Sequence, residues 1–272
     1  MSTTISTSFV EEFESEMHLA YQRTGSKLRS TVRVKNNVKN KTTFQKIAKG
    51  AVTIKSRHGD VVTMDLTHSN VNVTTDDWYA PEYVDSLDEL RIEHDERDAV
   101  MKSGVYALGR KTDAQIIAAL ESTSNTIAHG SAALTLAKAE TLFENFGDRD
   151  VPEDNDRYWA VGYQQWTDLL GVNAFSSLDY VPANELPYSS GMTAKRWLGF
   201  LVFGHSGLTK SSTTRSTLAY HRSAIGHAVG QDISVDITWQ GQKQAYLIVP
   251  SMQQNAVLID ADGVTEVQAT ES

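Results

Sequence analysis

One periodic stripe sets the scale of this fold. Between residues 95 and 123, Met101, Val105, Leu108, Ile116 and Leu120 recur at spacings of three and four, with Thr112 filling the gap. The stripe predicts a single helix of about 29 residues, roughly 43 Å long at 1.5 Å per residue. The mean globular helix has about 11–12 residues, so this element is long for a globular domain.

The flanking segments read as β. "TFQKI" and "AVTIKSR", joined through Gly50, predict a hairpin, followed by strands at "VVTMDL" and "NVNVTT". At the carboxy end "ISVDITW" alternates cleanly, and "AYLIV" and "AVLID" follow as two further strands. Between them the pattern is mixed: a helix over 131–146 ended by Gly147, a strand "RYWAVGY", a short helix over 164–170, and a loop with two prolines up to Pro187. "KRWLGFLVFG" then reads as one buried strand and "TLAYHRSAIGHAVG" as a helix closed by Gly230. Ser8 and Glu11 have capping-box spacing, and with Phe9, Phe13 and Met17 they predict an amphipathic helix over 8–21. The fold class is α+β, with no internal repeat.

Charge is unevenly divided. From Tyr21 to Gly59 there are eleven Lys or Arg and no acid, whereas the whole chain carries −9. Outside that window 14 basic residues face 34 acidic ones, a balance of −20. Residues 76–98 hold ten acids against Arg91 and Arg97. Opposite signs in separate regions bear on partners rather than on fold. A nucleic-acid role would need stacking aromatics, and the basic window has only Tyr21 and Phe44. Pairing with acidic protein surface is the better reading. Lys46, Lys49, Lys55 and Arg57 are the expected cations, and Asp85, Asp88 and Glu89 the expected acids, meeting within one chain or between neighbouring copies.

Motifs for chemistry are largely missing. There is no cysteine, so thiolate metal sites and cysteine nucleophiles are out. The eight histidines have no metal spacing. His221 and His227, six apart, are expected as surface or capping residues. "GHSG" at 204–207 lacks the G-x-S-x-G spacing of a nucleophile elbow. "DRDVPEDND" has Glu153 and Trp159 where a calcium loop needs Gly and Glu. No phosphate-binding glycine loop occurs, and the sequons at Asn40 and Asn72 lack a signal peptide to give them meaning. The longest apolar run, "WLGFLVFG", is too short to span a bilayer, for which about 20 residues are needed. No catalytic, cofactor-binding or metal-binding residue is expected, and no membrane association.

Four stretches taken in order resemble the major capsid (coat) proteins of tailed double-stranded DNA bacteriophages. They are "FQKIAKGAVTIKSRHGD", "YVDSLDELRIEHDER", "YALGRKTDAQIIAAL" and "ISVDITWQGQKQAYLIVPSMQQNAVLIDADGV". The resemblance implies an amino-terminal arm over 1–31 and an extended loop over 32–76 that reaches across a neighbouring subunit. It further implies a peripheral domain over 77–130 with a spine helix, an axial domain over 131–231, and return strands of the peripheral domain with a tail over 232–272. The implied partners are the chain itself, in pentamers and hexamers, a separate scaffolding protein, a portal and, in some members, a decoration protein. Packaged DNA would be enclosed without specific binding, in a virion assembled in the host cytoplasm. The acidic body suits that role, since a basic lining would hold the genome. The same fold also serves shells of cellular nanocompartments, which is the alternative within the fold. A nucleic-acid-binding protein using the basic arm is the alternative outside it.

Overall fold

A computed structural model describes residues 22–89, 95–176 and 194–271. In chain order the first strands are β1 (Arg33–Lys35), β2 (Lys41–Ile47), β3 (His68–Thr74), β4 (Asp76–Tyr79) and β5 (Glu82–Asp85). Helices α1 (Ser86–Glu89) and α2 (Glu96–Glu121), strand β6 (Thr126–Ile127), helix α3 (Leu136–Asp148) and strand β7 (Arg157–Val161) follow. Next come α4 (Tyr163–Leu170), α5 (Asn173–Ser176), β8 (Lys195–Trp197), β9 (Phe200–Gly204), β10 (Lys210–Ser211) and β11 (Thr214–His221). The chain closes with β12 (Ile225–Gln240), β13 (Ala245–Leu258) and β14 (Val264–Thr270). Two compact units share these elements. The smaller takes Met1–Gly25, Asp77–Arg110 and Asp232–Met252, and the larger takes the rest.

The larger unit is organised by a seven-stranded sheet in the order β6-β14-β11-β7-β9-β8, with β10 paired to β11. Its central strands bury both faces. Trp159, Val161, Ala219 and Val267 belong to one apolar cluster, with Leu142 and Phe146 of α3 and Trp166 and Leu169 of α4. Ala160, Leu218, Tyr220 and Val264 point the other way, to Ile116, Ile117 and Leu120 of α2 and to Leu28 and Val32. A strand covered on both sides reads as an unbroken apolar run, which periodicity cannot tell from a buried helix. That explains the first correction. "TLAYHRSAIGHAVG" is not a helix but the end of β11, a tight turn at Arg222–Ala224 and the start of β12. Gly230 closes no helix; a Cβ there would lie 2.6 Å from the Val38 carbonyl.

Other boundaries follow local chemistry. "KRWLGFLVFG" forms two antiparallel strands rather than one, with Trp197 opposite Phe200. Leu198 and Gly199, at φ of 48° and 77°, make the two-residue turn, the conformation that matches the twist of a hairpin. "AYLIV" and "AVLID" lie in one continuous β13 that runs through Pro250 and ends at Leu258. The long helix appears as expected, and Leu108, Thr112, Ile116 and Leu120 of its stripe are buried. The amphipathic helix expected over 8–21 and most of the proline loop lie outside the described residues.

The helix expected from residue 131 starts only at Leu136. The preceding turn is folded around a lysine. Lys138 Nζ donates to the carbonyls of His129 and Ala132 at 2.8 Å and to those of Ala133 and Gln268 at 3.0 Å. Gly130 and Ser131, at φ of 54° each, allow the reversal that aims these carbonyls inward. Burial pushes the Lys138 ammonium below its ordinary value.

In the smaller unit, Gly104 of α2 lets Pro250 of β13 approach closely; a Cβ would sit 2.6 Å from its ring. Arg97 stacks 4.0 Å above the Tyr246 ring, and Trp239 meets the same ring edge-on at 4.8 Å. Lys243 donates to the Tyr83 hydroxyl at 2.7 Å.

Replacing the caged lysine tests its role. Lys138→Met keeps the aliphatic stem and removes the ammonium, so it is expected to cost about 2 kcal/mol, the scale of hydrogen bonds to a charged group. Chemical denaturation of the subunit measures this; an unchanged midpoint would refute it.

Candidate assembly interface

The basic window does form a hairpin, though a wider one than the sequence suggests. β2 pairs with β3 in antiparallel register from Lys41 opposite Thr74 to Ile47 opposite His68. The expected strands at "AVTIKSR" and "VVTMDL" do not form. Past the hydrogen bond from Ala48 N to Thr67 O, at 2.9 Å, the ladder stops. Residues 48–67 make a loop with a turn at Arg57 and His58. Their alternation looked strand-like, but neither face finds anything within the chain to cover.

The base of the hairpin is firmly seated. Burial along β2 alternates, with Thr42 and Phe44 inward, and Phe44 joins Val38, Val73, Ala228 and Ile259 in one apolar cluster. Its ring lies against Gly226, where a Cβ would come within 2.6 Å. Arg33 and Lys35 lie 5.7 and 5.9 Å from the ring centroid, within cation–π range. Lys46 bonds Asp260 at 2.6 Å, and that same carboxylate caps the turn at Ala261–Gly263. Lys49 bonds Asp150 at 2.8 Å, and the pairing raises the lysine's pKa while lowering that of the aspartate. This second pair is wide open to solvent, so it orients the loop more than it stabilises it.

Two of the four cations singled out in the sequence therefore pair with acids of their own chain, Asp260 and Asp150. Lys55 and Arg57 lie exposed in the loop. Asp85 ends β5, where it accepts from Leu87 N at 2.8 Å. Asp88 and Glu89 close α1, and their side chains lie outside the described residues. What charge counting missed is apolar. Val52 and Ile54 are 98% and 97% exposed, and Val61 and Val62 lie open beside them. Four aliphatic side chains projecting into solvent from one loop mark a surface made to be covered. The runs "AVTI" and "VV" are visible in the sequence, where they read as strands.

Three histidines, His205, His221 and His227, are buried in the fold. His205 of "GHSG" is fully buried, its Nε2 3.0 Å from Asp113 and its Nδ1 accepting from Gly207 N at 3.1 Å. Asp113 also accepts from the Ser26 hydroxyl at 2.5 Å and from Leu28 N and Lys27 N at 3.1 and 3.2 Å. Burial raises the cost of charging Asp113, yet the bonds from His205, Ser26, Leu28 and Lys27 outweigh it and hold the carboxyl below its ordinary value. His221 caps the turn after β11 and bonds Asp154 at 2.9 Å. His227 is fully buried rather than a surface residue. Among the described residues no cluster of three or more acids or histidines is placed to hold a metal ion.

A hairpin carrying basic residues and a long helix are both present among the described residues. The profile of the family described as phage capsid protein matches residues 5–271. The chain belongs to the phage capsid protein family. A search of curated proteins finds no match. Solved structures agree in fold. The capsid of cyanophage P-SCSP1u superposes with a TM-score of 0.74 at 17% identity, covering 97% of this chain and 94% of that one. A structure from Mycobacterium phage Che8 gives 0.75 at 16% identity, with 95% and 97% covered. The capsid of a native GTA particle gives 0.77 at 11% identity, with 96% of each chain covered. This capsid protein is a shell-forming structural subunit of a virion, with the mixed α and β fold of tailed-phage capsids.

Asp113 gives a pH signature. A carboxyl with depressed pKa stabilises the folded state above its unfolded value, near 3.8, and that contribution is lost as pH falls through the folded value. Asp113→Asn is expected to lower subunit stability at pH 7 by roughly 3 kcal/mol, since it breaks a buried charged network. It should also flatten the fall in stability at acid pH. Thermal melts across pH 2–7 would show both effects, and parallel curves for the two proteins would disprove the assignment.

Proposed function

We propose that this capsid protein builds an icosahedral or prolate shell of pentamers and hexamers around phage DNA, with the loop of residues 48–67 lying on a neighbouring copy. The observation that carries the reading is the near-complete exposure of Val52 and Ile54 on a hairpin whose base is fixed. Covering a Val or Ile side chain releases about 1.5–3 kcal/mol, and a subunit repeated around a closed shell makes each such contact many times. Lys55 and Arg57 would then face acids of the neighbour, Asp85, Asp88 and Glu89, giving register more than affinity. Lys46 and Lys49 serve the same contact indirectly, by holding the loop base to Asp260 and Asp150.

The layout that goes with this reading is an arm over 1–31, the extended loop over 32–76, a peripheral domain over 77–130 and 232–272, and an axial domain over 131–231. The work is association rather than catalysis. Assembly takes place in the host cytoplasm with a separate scaffolding protein and a portal, and DNA is enclosed without specific binding. Membership of a phage family favours this over a cellular compartment shell.

The test is electron microscopy and sedimentation of the purified protein, with and without a coexpressed scaffold. Val52→Asp with Ile54→Asp should leave the circular dichroism of the subunit unchanged and abolish shells. Lys55→Glu with Arg57→Glu should weaken assembly, and more so at low salt. Normal shells from the Val52 and Ile54 variant would rule out the loop as an interface.

A further inference from the structure

Besides Lys55 and Arg57 of the loop, four cations outside it have no ion pair among the described residues. In the larger unit, Arg33 and Lys35 project from β1, and Lys39 and Lys41 follow; all four are exposed, and none has an ion-pair partner among the described residues. β1 is only three residues long and pairs with β12 alone, so its other side is a sheet edge. Val34, between the two cations, is 36% exposed. In the smaller unit, β4 and β5 each pair only with β13 and so also form an edge. That edge presents Asp77 and Glu82, both exposed and likewise without an ion-pair partner among the described residues, with Tyr79 open beside them.

We propose that the basic edge at Arg33–Lys35, with Lys39 and Lys41, docks on the acidic edge at Asp77 and Glu82 of a second copy of this chain. Charged residues on a short edge strand ordinarily keep sheets from pairing indiscriminately. Here each edge carries a single sign. Basic edge repels basic edge and acidic repels acidic, so only the unlike pair can meet. That contact uses two different surfaces of the same chain, which is the heterologous arrangement that a closed ring requires. The rejection of like edges supplies register as much as the attraction does. Packaged DNA is the competing partner for four cations, but the chain itself carries an edge of opposite sign, and an exposed apolar group, Val34 or Tyr79, lies at each surface. The inference rests on the reading of the chain as a shell subunit, and wild-type assembly is the control that separates the two.

Charge reversal tests it. Arg33→Glu with Lys35→Glu, and separately Asp77→Lys with Glu82→Lys, should each cut the shell fraction in sedimentation at least about tenfold, the equivalent of about 1.4 kcal/mol. The chain carrying all four substitutions should regain part of the lost assembly, because positions 33, 35, 77 and 82 again join opposite signs while Lys39 and Lys41 keep their charge. Raising salt from about 0.15 M to about 1 M shortens the screening length from about 8 to 3 Å, and should weaken wild type and fourfold variant alike. Melting curves establish that each variant folds; if the basic-edge pair does not, the acidic-edge pair decides alone. Normal shells from a folded pair variant would overturn the proposal. So would a fourfold variant that folds without assembling, or normal shells that have lost only their DNA, the outcome that would point to the genome as partner.

Discussion

The ring of Phe44 against the bare backbone of Gly226 is the contact on which the assembly surface depends. A twenty-residue loop with no sheet partner can present a defined surface only if its two ends leave the body at a fixed place. Gly226 leaves a slot that a Cβ would fill, Phe44 occupies it, and Arg33 and Lys35 close over the ring. Lys46 then ties the hairpin to the turn after β13. The seated part is paired and buried, the reaching part exposed and apolar. Each half would fail without the other, because an unanchored loop loses too much conformational entropy on docking to bind well.

The same division separates stability from association. The larger unit takes its stability from a sheet covered on both faces, with Trp159, Tyr220 and Phe200 at its centre. Its most deeply buried charges among the described residues, Asp113 and Arg157, are met by several hydrogen bonds each. The surfaces proposed for association are of another kind: aliphatic side chains in the loop, and charged residues on strand edges. A subunit that must exist alone before it assembles needs this separation, since its folding must not wait for its neighbours.

The long helix was legible in the sequence because its stripe repeats over more than five turns on one face, and the hairpin's basic character because sign is independent of conformation. The family was legible from the order of four stretches. What misled was burial on both sides. β11 and the start of β12 alternate nothing, so "TLAYHRSAIGHAVG" carried no period that could separate strand from helix. The turn at Leu198 and Gly199 hid inside an apolar run for the same reason. In the loop the error ran the other way: "AVTI" and "VV" obey strand chemistry but have no ladder partner among the described residues, and alternation alone cannot show that a strand-like run is left without one. Charge counting could not foresee that Asp150 and Asp260, a hundred and more residues away, would take up Lys49 and Lys46.

Lys138 in its cage of four carbonyls bears on where a shell can survive. A turn of inward-facing carbonyls is the kind of site that a potassium or calcium ion would otherwise fill, and such an ion escapes on dilution or is taken by a chelator. A lysine ammonium is tethered by its own side chain, so the charge that holds this turn together travels with the subunit. The link from α3 to the Gln268 carbonyl of β14 is therefore made by the chain's own cation, whose charge is set by pH rather than by the ions around it.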